Sequence, residues 1–113
     1  MRAIHISLML YGFIPLMLSY LPFLLINKEL GFDKIITVAA KTDTMNGYYT
    51  WAKLGYEINT KSELGTVDQV MFDNLMKDNK RKEKTLQELI STNEGAIFWK
   101  ENGFSFNGVL NLK

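Results

Sequence analysis

The sequence predicts an α/β fold of mixed α+β type: a partial mixed sheet with flanking helices, and a helical C-terminal region ending in a strand or hairpin. A helical segment closing on Gly31 leads straight into the apolar stretch Ile35 to Val38. Three hydroxyl-led helix starts follow in the second half, and from Phe104 onward apolar and polar side chains alternate.

The 113 residues, 47% hydrophobic and 22% charged, have the composition of one globular domain with one core. Thirteen basic against twelve acidic side chains leave a net charge of +1. No overall field draws such a chain to nucleic acid, and no nucleic-acid partner is expected. With no cysteine and a single histidine, His5, disulfides, thiolate nucleophiles and thiolate metal sites are excluded, and no metal site is expected.

Residues 3–27 form an uncharged apolar segment. Ile4, Ile6, Leu8 and Leu10 alternate with His5, Ser7, Met9 and Tyr11, which suits a buried strand. Gly12 and Pro15 then open a helix continuing to Leu30, kinked at Pro22. The same run is long enough to cross a bilayer, which takes about 20 apolar residues, so a membrane anchor stands as the alternative to a buried strand and helix. Arg2 before it and Lys28 after it leave little charge asymmetry to orient a span.

Residues 28–60 form the next unit. The helix from Leu24 to Leu30 ends at Gly31, where a left-handed backbone costs little. Ile35-Ile36-Thr37-Val38, within Asp33 to Ala40, reads as a strand covered on both faces. Lys41 to Thr44 is a polar loop, the place where open α/β sheets meet ligands. Tyr48 to Leu54 is a short helix stopped by Gly55, and Tyr56 to Ile58 is extended again. The aromatic cluster Tyr48, Tyr49, Trp51 and Tyr56 is expected to pack the core.

Three phrases in this order, Glu29-Leu30-Gly31-Phe32, Lys34-Ile35-Ile36-Thr37-Val38 and Trp51-Ala52-Lys53-Leu54-Gly55-Tyr56-Glu57, resemble the C-terminal half of a GNAT-superfamily N-acetyltransferase. There a helix ending in glycine precedes the central splayed strand and a short helix ending in Tyr-Glu-Lys-Leu-Gly-Phe. The resemblance implies acetyl-CoA or another acyl-CoA as cofactor and a small amine or a protein as acceptor. In that family the tyrosine opening the last phrase often protonates the departing coenzyme A sulfur. Trp51 stands at that position, and an indole N–H is not acidic enough for the task. Tyr49 and Tyr48 are therefore the candidate catalytic residues, with Asn46 and Thr44 the candidate cofactor contacts. The family's Arg/Gln-x-x-Gly-x-Gly/Ala pyrophosphate loop cannot be written between Met1 and Leu30, where Gly12 is the sole glycine. The expectation is a truncated or degenerate copy.

Residues 61–113 form a helical extension. Thr66 with Gln69 opens a helix from Val67 to Asp78, Thr85 with Glu88 a second and Ser91 with Glu94 a third, stopping near Gly103. The basic run Lys77 to Lys84 reads as a solvated turn. Phe104, Phe106, Leu110 and Leu112 alternate with polar residues around the turn signal Asn107-Gly108, predicting a strand or small hairpin. The pairing of Glu94 to Trp99 with Gly47 to Trp51 is loosely similar to phage- and mobile-element-associated GNAT-like proteins.

Taken as one domain over residues 1–113, the chain reads first as a cytoplasmic, acyltransferase-like protein. The alternative is a single-pass membrane protein with a small, non-catalytic interaction domain.

Overall fold

The computed structural model describes residues 3–6, 25 and 28–112. The expected alternation beyond Ile6, the Gly12 and Pro15 punctuation and the Pro22 kink lie outside those residues.

Strands β1 (Ala3–Ile6), β2 (Lys34–Ala39), β3 (Glu57–Ile58) and β4 (Phe106–Asn111) form a mixed sheet in the order β1-β2-β4-β3. β1 lies parallel to β2, with Ala3 opposite Lys34 and Ile6 opposite Thr37. β4 runs antiparallel to both β2 and β3. The four helices delimited among the described residues are α1 (Gly47–Lys53), α2 (Glu63–Asp78), α3 (Leu86–Ile90) and α4 (Asn93–Asn102). The mixed α and β architecture expected from the sequence is present. Ala3–Ile6, the start of the apolar segment, is a sheet strand. No helix of the described residues is long and apolar enough to cross a membrane.

The approach to β2 follows the sequence expectation. Leu25, Lys28 and Glu29 are helical, and the N–H of Gly31, at φ 86°, donates to the Lys28 carbonyl at 3.1 Å. β2 is an interior strand, but its second face is covered only in part: Ile35, Thr37 and Ala39 are buried and Ile36 is half-buried, whereas Val38 is 59% exposed. Interior position in a sheet satisfies the strand's edges, not its faces, and side chains of period two still alternate between core and water.

The buried face of β2 sets the core. Ile35, Thr37 and Ala39 stand opposite Leu110, Gly108 and Phe106 of β4. Over that layer pack Trp51, Tyr56, Phe72, Leu86, Leu89 and Trp99, each under 2% exposed. Large side chains fully removed from water contribute about 1.5–3 kcal/mol apiece. The aromatics meet edge to face: Trp51 and Tyr56 at 4.9 Å, Trp99 and Phe104 at 5.1 Å.

Two helix starts differ from the expected ones. α2 begins at Glu63, not Val67, because Ser62 is its cap and accepts the Gly65 N–H at 3.0 Å. Thr66 lies inside the first turn, donating its hydroxyl proton to the Ser62 carbonyl at 2.9 Å. α4 is capped by Thr92, which accepts from Gly95 at 3.0 Å, while Ser91 ends α3 by donating to Glu88 O at 2.6 Å. Both starts share one pattern, hydroxyl-x-x-Gly. A Cβ on Gly65 would overlap the carbonyl of Asn59, and one on Gly95 the carbonyl of Leu89, so each helix enters against the residue six positions earlier. The Thr85 start of α3 is as expected, with its hydroxyl oxygen accepting from Glu88 at 3.1 Å.

The basic run is not wholly a solvated turn. Arg81 places its guanidinium over the Phe98 ring at 4.7 Å and forms a two-pronged pair with Glu94 at 2.8 and 2.9 Å, with Glu83 at 3.1 Å. Lys77, Lys80, Lys82 and Lys84 are exposed. Nor is Asn107-Gly108 a turn: both lie within β4, opposite Val38 and Thr37. The Asp68 carboxylate of α2 accepts the Asn107 N–H at 2.7 Å and its side-chain amide at 3.0 Å. A carboxylate supplied from another element takes Asn107 out of its local turn preference.

Candidate functional site

The loop from β2 to α1 is ordered by its own short side chains. Lys41 and Asn46 face each other in an antiparallel bridge, and between them the Thr42 hydroxyl accepts the N–H groups of Thr44 at 3.3 Å and Met45 at 3.0 Å. Such local bonding is what threonine offers a turn. Lys41 ties the loop to the far end of the chain: its N–H donates to the Ser105 hydroxyl at 2.7 Å and its ammonium to the Gly103 carbonyl at 2.8 Å.

Lys41, Thr42, Asp43, Thr44, Met45, Asn46 and Tyr48 line an open depression of about 300 Å³. Three of the four expected site residues, Thr44, Asn46 and Tyr48, thus meet at one place. Thr44 and Asn46 are exposed on it. Asn46 is the N-cap residue of α1, yet its side chain makes no capping hydrogen bond.

The two tyrosines part company, because consecutive helical residues are about 100° apart around the axis. Tyr48 is turned inward at 7% exposure, and its hydroxyl donates to the Lys100 carbonyl of α4. Burial, and secondarily the neighbouring Tyr49 phenol, pushes the Tyr48 hydroxyl above the ordinary tyrosine range. A tyrosine so shifted is a poorer proton donor, and its proton is already committed to a carbonyl. Tyr49 is half-buried, with the Lys100 ammonium 5.4 Å from its ring centroid. No hydrogen bond holds its hydroxyl among the described residues.

Trp51, at the position where the resembled family carries its tyrosine, is 1% exposed and packed edge-on to Tyr56, so it belongs to the core. Of the aromatic cluster expected to pack the interior, Tyr48, Trp51 and Tyr56 do so. Lys41, the first residue of the expected polar loop, stands 4.9 Å over the Tyr48 ring, whereas Lys100 is the group beside the tyrosines that sequence reasoning missed. Lys100 lies in a different helix, and no local pattern announces its approach. No cluster of three or more potential metal-ligating side chains occurs among the described residues.

Comparison of the chain with protein-family models, with curated protein sequences and with solved structures found no match.

Proposed function

We propose that this chain is an acyltransferase-like protein related to the GNAT N-acetyltransferases, cytoplasmic and degenerate in its cofactor site. The observation supporting this reading is the order of elements from Lys28 to Ile58: a helical stretch ending at left-handed Gly31, the interior strand β2, the short helix α1, left-handed Gly55 and β3. These are the elements on which the resemblance in sequence rests. Tyr49 is the better placed of the two candidate acids, since among the described residues its hydroxyl is not spent on a structural bond. In acyl transfer an acceptor amine would attack the thioester carbonyl of acetyl-CoA, and Tyr49 would protonate the departing sulfur. Thr44 and Asn46, which line the depression with Tyr48, would contact the cofactor.

A titration with acetyl-CoA followed by thermal unfolding tests this reading. A ligand at a hundredfold excess over its dissociation constant stabilises by about 2.7 kcal/mol, which for a domain of this size raises Tm by roughly 10 °C. An unchanged Tm at millimolar acetyl-CoA sinks the cofactor assignment.

A further inference from the structure

The chain contains three Asn-Gly steps: Asn46-Gly47, Asn102-Gly103 and Asn107-Gly108. All share one chemical liability, because glycine has no side chain to shield the main-chain nitrogen that can attack the preceding amide. The fold separates them. Asn102 closes α4, with its amide nitrogen on the Phe98 carbonyl at 3.0 Å and the Gly103 N–H on the Trp99 carbonyl at 2.7 Å. Asn107 sits inside β4, its amide nitrogen on Asp68 at 3.0 Å and its neighbour Gly108 paired with both Thr37 and Ile58. Asn46 is exposed, its side chain caps nothing, and the helix it precedes has seven residues. At ψ 26° the Gly47 nitrogen is not turned toward the Asn46 side chain, so attack requires the first turn of α1 to open. Among the described residues Asn46 is held by main-chain contacts alone, the bridge to Lys41 and the Tyr49 and Thr50 N–H groups on its carbonyl. Such a short helix start with no side-chain cap opens at lower cost than the side-chain-bonded end of α4 or the paired strand β4.

We propose that Asn46 is a site of spontaneous deamidation, distinguished from two identical dipeptides by the fold alone. The Gly47 nitrogen attacks Asn46 Cγ, the Nδ2 group leaves as ammonia carrying the proton from Gly47, and a five-membered succinimide forms. Water then opens the ring at either carbonyl to leave aspartate or isoaspartate, with no oxidant or reductant involved. Aspartate adds a carboxylate beside Asp43 on the depression, at a helix start that favours negative charge. Isoaspartate lengthens the main chain at the residue whose carbonyl accepts the Tyr49 and Thr50 N–H groups, both at 3.0 Å, and so loosens the start of α1.

The test is incubation of the full chain in mildly alkaline buffer, with and without denaturant, followed by peptide mapping by mass spectrometry. In the native protein, acid forms accumulate at Asn46 at least about tenfold faster than at Asn102 or Asn107; in denaturant the three rates converge. Asn46→Ser removes the native signal and leaves the other two sites unchanged. Equal native rates at the three sites, earlier conversion at Asn102 or Asn107, or conversion of Asn46 in denaturant only, each overturns the proposal.

Discussion

The indole N–H of Trp99 donates to the main-chain carbonyl of Tyr48 at 3.0 Å, and the Tyr48 hydroxyl donates in return to the carbonyl of Lys100, the residue after Trp99. Two residues 51 positions apart thereby fix α1 against α4, with their rings tilted at 6.2 Å. The helix that carries both candidate tyrosines is positioned by this reciprocal pair.

Truncating Trp99 is expected to be among the most damaging changes in the chain. Trp99→Ala should cost about 3–5 kcal/mol of stability through lost burial and the cavity left among Phe72, Phe104 and Phe106. Trp99→Phe keeps an aromatic ring but removes the indole donor from the Tyr48 carbonyl, which retains its place in the helix ladder, for a smaller loss of about 1 kcal/mol. Urea denaturation of the two variants checks both the size and the order.

The tyrosines should separate structure from chemistry. Tyr48→Phe removes the bond to Lys100 and is expected to lower stability by about 1 kcal/mol. Tyr49→Phe should leave stability within about 0.5 kcal/mol and abolish acetyl transfer if the proposed reading holds. Matched denaturation and acyl-transfer assays decide this, and a Tyr49→Phe protein as active as the parent rules Tyr49 out as the proton donor.

Gly65→Ala and Gly95→Ala are expected to destabilise by about 3 kcal/mol or more each, although alanine is ordinarily the better helix former. The reason is steric, the new methyl meeting the main chain of Asn59 or Leu89 rather than a movable side-chain tip. The nearby exposed Leu64→Ala should change stability by less than about 0.5 kcal/mol. Thermal unfolding of the three variants side by side measures the contrast.

Arg81 holds the carboxyls of Glu83 and Glu94 below the usual glutamate range, chiefly through its hydrogen bonds to them. A depressed carboxylate contributes stability that is present above its unfolded value, near 4.5, and is lost as pH falls through the folded one. Stability should therefore decline below about pH 4.5 more steeply in the parent than in Arg81→Met, which keeps contact with Phe98 but not the charge pairs. Denaturation midpoints measured between neutral and acid pH test this; parallel curves would show that the pairs add nothing.

Sequence and structure agree where the governing interactions are local. The left-handed turn at Gly31, α1 before Gly55, the Thr85 cap and the end of α4 at Gly103 each depend on residues within a turn of one another. Among the site residues, the polar loop and the inward-facing aromatics could be read in the same way. The starts of α2 and α4 differ from the expected ones because a threonine or serine followed three residues later by Gln or Glu has the local pattern of a cap. Ser62 and Thr92 won instead, since only they place a glycine where the main chain crosses closely.

Hydrophobic period, composition and capping chemistry, as properties of neighbouring residues, determine that this chain forms a mixed α and β domain and roughly where its helices and strands lie. The tertiary structure alone decides that Asn107-Gly108 continues a strand, that Arg81 is anchored on Glu94, and that Tyr48 is spent on Lys100. Each of those outcomes turns on a partner more than ten positions away in the chain. No local pattern encodes it, because such a partner arrives only when the core closes.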